Sequence, residues 1–203
     1  MWAKPDKAKV VGKSLADKEI LPFATQAKWR AWLLRHSHKS DGIWLKFFKK
    51  ASGVKTITYA EALDEALCFG WIDSQVAKFD DQAYLQKFTP RRSKSLWSKR
   101  NRDHVVRLIK EKKMTPAGLT EIKRAKTDGR WEAAYDSPSV ATLPADFLSA
   151  IDKNKKAAKF FKTLNKINRY AITWRLQTAK TPATRAKRLA QIVAMLAEEK
   201  KFH

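Results

Sequence analysis

Between Tyr59 and Asn101 the chain gathers the residue types that chemistry needs. Glu61, Glu65 and Cys68 recur at i, i+4 and i+7, so on a helix two carboxylates and a thiol share one stripe, and Asp73 follows just beyond Gly70. Paired carboxylates act as general acid and base when their surroundings separate their pKa values, and a carboxylate cluster also suits Mg²⁺ or Ca²⁺. Glu65 and Asp73 are the candidate catalytic pair. Further on stand Arg91, Arg92, Ser95, Trp97, Ser98 and Asn101. Guanidinium and hydroxyl groups just ahead of a helix start can hold a phosphate or carboxylate, and Trp71 and Trp97 offer flat faces to wall such a pocket. Charge is segregated in the same region: residues 55–87 hold six acids and three bases, residues 90–113 ten bases and two acids.

Each of these residues also has a structural reading. Thr58-Tyr59-Ala60-Glu61 has the form of a capping box, which accounts for Glu61, while Asp64 falls on the solvent face and Cys68 suits a small buried position. Ser95 or Ser98 can be a helix N-cap, and an arginine of the Arg91-Arg92 pair can bridge to Glu65 or Asp73. Strand alternation ahead of that pair sends one arginine inward and the other outward. The four histidines, His36, His38, His104 and His203, show no metal-binding spacing with the single Cys68, and the six glycines form no phosphate loop. No cofactor is expected.

The elements that must position these groups follow from periodicity and punctuation. A helix capped by Thr25 carries Trp29, Trp32, Leu33 and His36 on one side; Ile43 to Lys49 reads as a strand; a helix runs from Tyr59 to Phe69 and ends at Gly70. Trp71 to Phe79 and Ala83 to Phe88 make two strands joined at Asp80-Asp81, and a helix from about Ser95 turns Val105, Val106, Leu108 and Ile109 inward. Thr115-Pro116 opens another helix. After Asp136-Ser137-Pro138-Ser139 the pattern is purely helical, closing on a helix begun by Thr181-Pro182 with Leu189, Ile192, Val193 and Leu196 as its apolar stripe and Arg185, Lys187 and Arg188 outside it. The expected fold is α+β, a small antiparallel sheet covered by helices, over residues 22–136, with a C-terminal helical domain over 141–203 and a flexible basic arm over 1–21.

A formal net charge of +23 on 203 residues draws the chain toward anions of every kind: small molecules, acidic partners, nucleic acid. No apolar run approaches the roughly 20 residues of a membrane span, the N-terminus lacks a signal-peptide core, and one cysteine forms no internal disulfide, so a cytoplasmic location is expected.

The run Thr58 to Ser74, with Phe88-Thr89-Pro90-Arg91-Arg92-Ser93-Lys94-Ser95-Leu96-Trp97-Ser98 and Asn101, resembles the YdeI/OmpD-associated family, also called bacteriocin-protection proteins. Met114 to Gly118, Asp128 to Trp131 and the tail around Thr184 to Arg188 and Met195 to Ala197 extend the resemblance over nearly the whole chain, with the family's core on residues 22–136. The resemblance implies kinship and supplies no catalytic residue. The favoured reading is a protein that binds an anionic small molecule or acidic partner through Arg91, Arg92, Ser95, Ser98 and Asn101, with Trp71 and Trp97 as walls. One alternative is an enzyme acting on a phosphorylated or carboxylated small molecule with Glu65 and Asp73; another is nonspecific nucleic-acid binding. Because the bases are dispersed, any nucleic-acid affinity should be nonspecific and should fade quickly between roughly 50 and 200 mM salt. Anisotropy titrations that keep one sequence preferred, or keep affinity in salt, would contradict that.

Overall fold

The computed structural model describes residues 18–203. Positions 1–17 of the expected arm lie outside the described residues, and Ile20–Pro22, taken from the sequence as the end of the arm and the start of the domain, form a strand, β1. The chain divides into two compact units, one ending at Ser95 and resuming over His104–Thr127, the other made of Leu96–Asp103 and Asp128–His203. Residues 128–136 therefore group with the C-terminal helices.

In the first unit α1 (Gln26–His36), β2 (Ile43–Phe48), α2 (Tyr59–Cys68), β3 (Trp71–Lys78) and β4 (Ala83–Pro90) follow β1. The sheet has the order β1-β2-β4-β3. The β3–β4 hairpin and the β2–β4 pairing are antiparallel as expected, but β1 lies parallel to β2, with Ile20 opposite Trp44, so the sheet is mixed. The apolar Ile20-Leu21 pair has a sheet edge to bury against, which is why it leaves the arm.

Alternation sets the faces: Ile43, Leu45 and Phe47 of β2 and Leu85 of β4 are buried, and Trp29 and Leu33 of α1 and Leu63 and Leu67 of α2 are also in the core. Trp29 stacks on Trp32 with ring centroids 5.3 Å apart and donates its indole N–H to the carbonyl of Ala62 at 3.1 Å, fixing α1 to α2. The Thr58–Glu61 capping box is present in full, and Gly70, at φ +73°, ends α2 in the left-handed region.

Beyond the sheet come α3 (Lys99–Lys110) and α4 (Pro116–Thr127). α3 starts later than Ser95 because Ser98 is held in a β-bridge with Tyr135, which gives its N–H to the Trp97 carbonyl and accepts from the Lys99 N–H. Only Val105 and Leu108 are buried on α3; Val106 and Ile109, expected inward, are exposed, since the helix presents one narrow i, i+3 stripe to its neighbours.

The second unit holds α5 (Ala145–Asp152), α6 (Lys155–Thr163), α7 (Lys166–Gln177) and α8 (Pro182–Ala197) around Phe147, Ile151, Ile172, Leu176, Ile192 and Leu196. Leu189 and Val193 of the expected stripe are partly buried at its margin. No described helix is long and apolar enough to cross a membrane.

One close approach holds the first unit's helices together. The carbonyl of Cys68 at the end of α2 accepts from the N–H and hydroxyl of Thr115 at 3.1 and 2.7 Å, and a Cβ placed on Gly118 would lie 2.3 Å from that same oxygen. An exposed helix interior gains up to about 1 kcal/mol from Gly→Ala. Gly118→Ala should instead destabilise by about 1–3 kcal/mol, because backbone rather than a yielding side chain stands in the way. A urea melt with an unchanged or raised midpoint would show that α2 and α4 can part freely.

Candidate functional site

Glu65 projects from the middle of α2 with 3% of its surface exposed. A carboxylate so placed must be fully paired, and it is: Arg30 donates from Nη1 at 2.6 Å and Gln26 from Nε2 at 2.7 Å, both from α1. Arg30 reaches on through Nη2 to the carbonyl of Lys113 at 3.0 Å. These groups border a cleft of about 670 Å³ whose rim carries Lys55, Lys113, Thr58 and Glu61. Glu61 is turned back on Thr58, accepting from its backbone N–H and hydroxyl at 2.8 Å each, and those bonds hold its carboxyl below the usual range.

Asp73 accepts from the Tyr59 hydroxyl at 2.8 Å, at the point where the β3–β4 register shifts, and does not line the Glu65 cleft. Cys68 is buried. Burial, with the charge of Glu65 adding to it, pushes its thiol up to about 11, so it is protonated near neutral pH. Asp64, assigned to solvent from its spacing, has only 14% of its side chain exposed and binds His104 Nδ1 at 2.7 Å and Arg107 Nη2 at 2.5 Å, joining α2 to α3. Among the described residues no group of three or more His, Cys, Asp or Glu is placed to hold a metal ion.

Trp71 is buried, its indole N–H donating to the Ser37 carbonyl at 3.3 Å and its ring edge-on to Trp32. Arg91 is the inward arginine, 6% exposed, with its N–H on the carbonyl of Gly70 at 3.0 Å, and Arg92 is exposed. The Arg92–Ser95 turn closes on itself: the Arg92 N–H donates to the Ser95 hydroxyl at 3.1 Å and the Ser95 N–H to the Arg92 carbonyl at 2.9 Å. Trp71, Arg91, Arg92 and Ser95 fall in the first unit; Trp97, Ser98 and Asn101 fall in the second. There Trp97 packs edge-on to Trp131 at 5.0 Å, and Ser98 accepts from the Asn101 N–H at 3.1 Å at the start of α3.

The second unit has a cleft of its own, about 320 Å³, between α7, α8 and the segment at Phe202, with Arg175 and Arg188 on its walls. On α8 Arg185 grips Asp146 through Nε and Nη2 at 2.8 Å each. Residues 140–199, which include all of this cleft except Phe202, match the family described as Bacteriocin-protection, YdeI or OmpD-Associated. The chain carries a YdeI/OmpD-associated domain. Residues 21–121 match a domain of unknown function, DUF8412, and the Thr58–Asn101 run lies within that match. No curated protein matches the chain, and no solved structure does.

Ahead of the YdeI/OmpD-associated domain, the partners of Glu65 went unseen in the sequence because Arg30 lies 35 positions away and Gln26 39. The i, i+4 spacing of Gln26 and Arg30 on an otherwise apolar helix face was the one available signal. Arg30→Met should cost about 2–4 kcal/mol by leaving a buried carboxylate without its cation. Combining it with Glu65→Leu should recover most of that loss. A double-mutant cycle in urea with additive effects would show that the two side chains do not act as a pair.

Proposed function

We propose that the protein binds a small anionic ligand and that the cleft beside Glu65 is where it does so. The supporting observation is the state of the charges there. Both lining carboxylates are engaged by the protein's own donors, Glu61 by Thr58 and Glu65 by Arg30 and Gln26. Lys55, on the rim, makes no ion pair among the described residues, and Lys113 pairs only with Glu111, at 2.7 Å on the surface. A cleft whose acids are occupied and whose cations face solvent favours an anion. Within the first unit, the exposed Arg92 with the Ser95 hydroxyl forms a second, separate set of donors for an anion in this reading.

A catalytic reading rests on the orientation of Glu65 alone, a carboxylate locked in place by two donors at the edge of a cleft that its expected partner Asp73 does not line. Calorimetric titration of the full chain with glycerol phosphate tests both. Saturable binding should weaken about tenfold in Lys55→Gln and stay within twofold in Lys39→Gln, an exposed lysine away from the cleft. Equal losses in the two variants would reduce the affinity to net charge. Release of inorganic phosphate that disappears in Glu65→Gln would move the conclusion from binding to catalysis.

A further inference from the structure

Arg175 and Arg188 are the two arginines on the walls of the second unit's cleft. Arg185 grips Asp146, and Arg130 pairs with Asp128 at 2.7 Å. Among the described residues neither Arg175 nor Arg188 pairs with a carboxylate. Arg188 gives Nη1 to the carbonyl of Arg175 at 2.7 Å and to the Thr178 hydroxyl at 3.4 Å; Arg175 gives Nη1 to the carbonyl of Ala171 at 3.2 Å. All these acceptors are neutral, so Nε and Nη2 of both guanidinium groups are without a protein acceptor among the described residues. The two cations are near enough for each other's charge to matter: burial first, and then the charge of Arg188, hold Arg175 below the usual arginine value.

The cleft between them is built rather than incidental. Asn168, a polar side chain 2% exposed, accepts the N–H groups of Phe202 and His203 at 3.1 and 3.0 Å and donates to the carbonyl of His203 at 3.2 Å. That clamp seats Phe202 against α7, where its ring lies 3.6 Å from the Arg175 guanidinium carbon. The stacked ring fixes the plane of the guanidinium and leaves its edge for hydrogen bonding. Trp174, Ile192 and Met195 complete an apolar lining beside the charged wall.

We propose that this cleft binds a phosphate-bearing small molecule, the phosphate held between Arg175 and Arg188 and an apolar or aromatic body resting on Trp174, Met195 and Phe202. A doubly charged oxyanion offsets the repulsion between the two arginines and offers charged acceptors to edges that have no protein acceptor among the described residues. The volume, about 320 Å³, accommodates a single ring with its phosphate.

Phenyl phosphate, inorganic phosphate and phenol, titrated separately into the full chain in about 150 mM salt, test this, since screening at that ionic strength suppresses the general pull of the +23 charge. Phenyl phosphate should bind at least about tenfold more tightly than inorganic phosphate, and phenol should not bind measurably. Arg175→Gln and Arg188→Gln should each weaken phenyl phosphate by about tenfold or more, whereas Lys187→Gln, which removes the same charge from the exposed side of α8, should change it less than twofold. Arg188→Lys keeps the charge and a donor for the Arg175 carbonyl; with its thermal midpoint near that of the parent, it should still lose several-fold in affinity because the fork is gone. Equal binding of phenyl phosphate and inorganic phosphate, equal effects of Lys187→Gln and Arg188→Gln, or parental affinity in Arg188→Lys would each overturn the proposal.

Discussion

A carboxylate buried in the middle of a helix constrains the first unit more than any other single group. Glu65 can be buried beside Ala62, Leu63, Ala66 and Leu67 only if a cation and a second donor meet it, because an isolated charge out of water costs several kcal/mol. Arg30 and Gln26 meet it from one face of α1, and Arg30 continues to the Lys113 carbonyl. The register of α1 against α2 is therefore set electrostatically as well as by the Trp29–Ala62 bond and the aromatic cluster behind it. Apolar packing alone tolerates small slides; a charge pair with two directed bonds does not. At the lower end of α2, Gly118 permits the backbone approach that Thr115 then fastens.

The second unit uses uncharged polar side chains for comparable work. Asn168 holds the chain at Phe202 and His203, and Gln177 and Tyr170 hold Asp136, whose carboxyl is kept below its usual range by Lys99. These are bonds to backbone or between groups of modest desolvation cost, so they fix position without a buried charge pair. The segment read as a linker at Asp136 is in consequence pinned at its first residue.

Set side by side, the basic residues sort by what faces them. Arg30, Arg107 and Arg185 are matched to Glu65, Asp64 and Asp146 and hold helices together. Arg175 and Arg188 are matched to neutral oxygens only, and Lys55 to none among the described residues. A chain with 43 Lys and Arg against 20 Asp and Glu must leave many cations unmatched, so an unmatched cation is informative only where a formed cleft and fixed neighbours surround it. That condition separates Arg175 and Arg188 from the solvated lysines of the surface.

The sequence by itself determined what depends on near neighbours. The Thr25 and Thr181 caps, the Thr58–Glu61 box, the left-handed Gly70, the α2, β3 and β4 segments and the four C-terminal helices were all legible there, because capping and amphipathic periodicity act over three or four residues. So was the α+β class. The late start of α3, the outward turn of Val106 and Ile109 and the parallel pairing of β1 were not, since each depends on what a distant segment offers: Tyr135 for Trp97 and Lys99, Trp44 and Leu45 for Ile20 and Leu21. The charges divide the same way. Alternation showed that one of Arg91 and Arg92 turns inward, and only the fold chose Arg91. Which cation meets Glu65, that Asp64 meets His104, and that Arg175 and Arg188 meet no acid among the described residues were decided by tertiary structure, because Coulomb energy follows distance through space and the partners lie tens of residues apart along the chain.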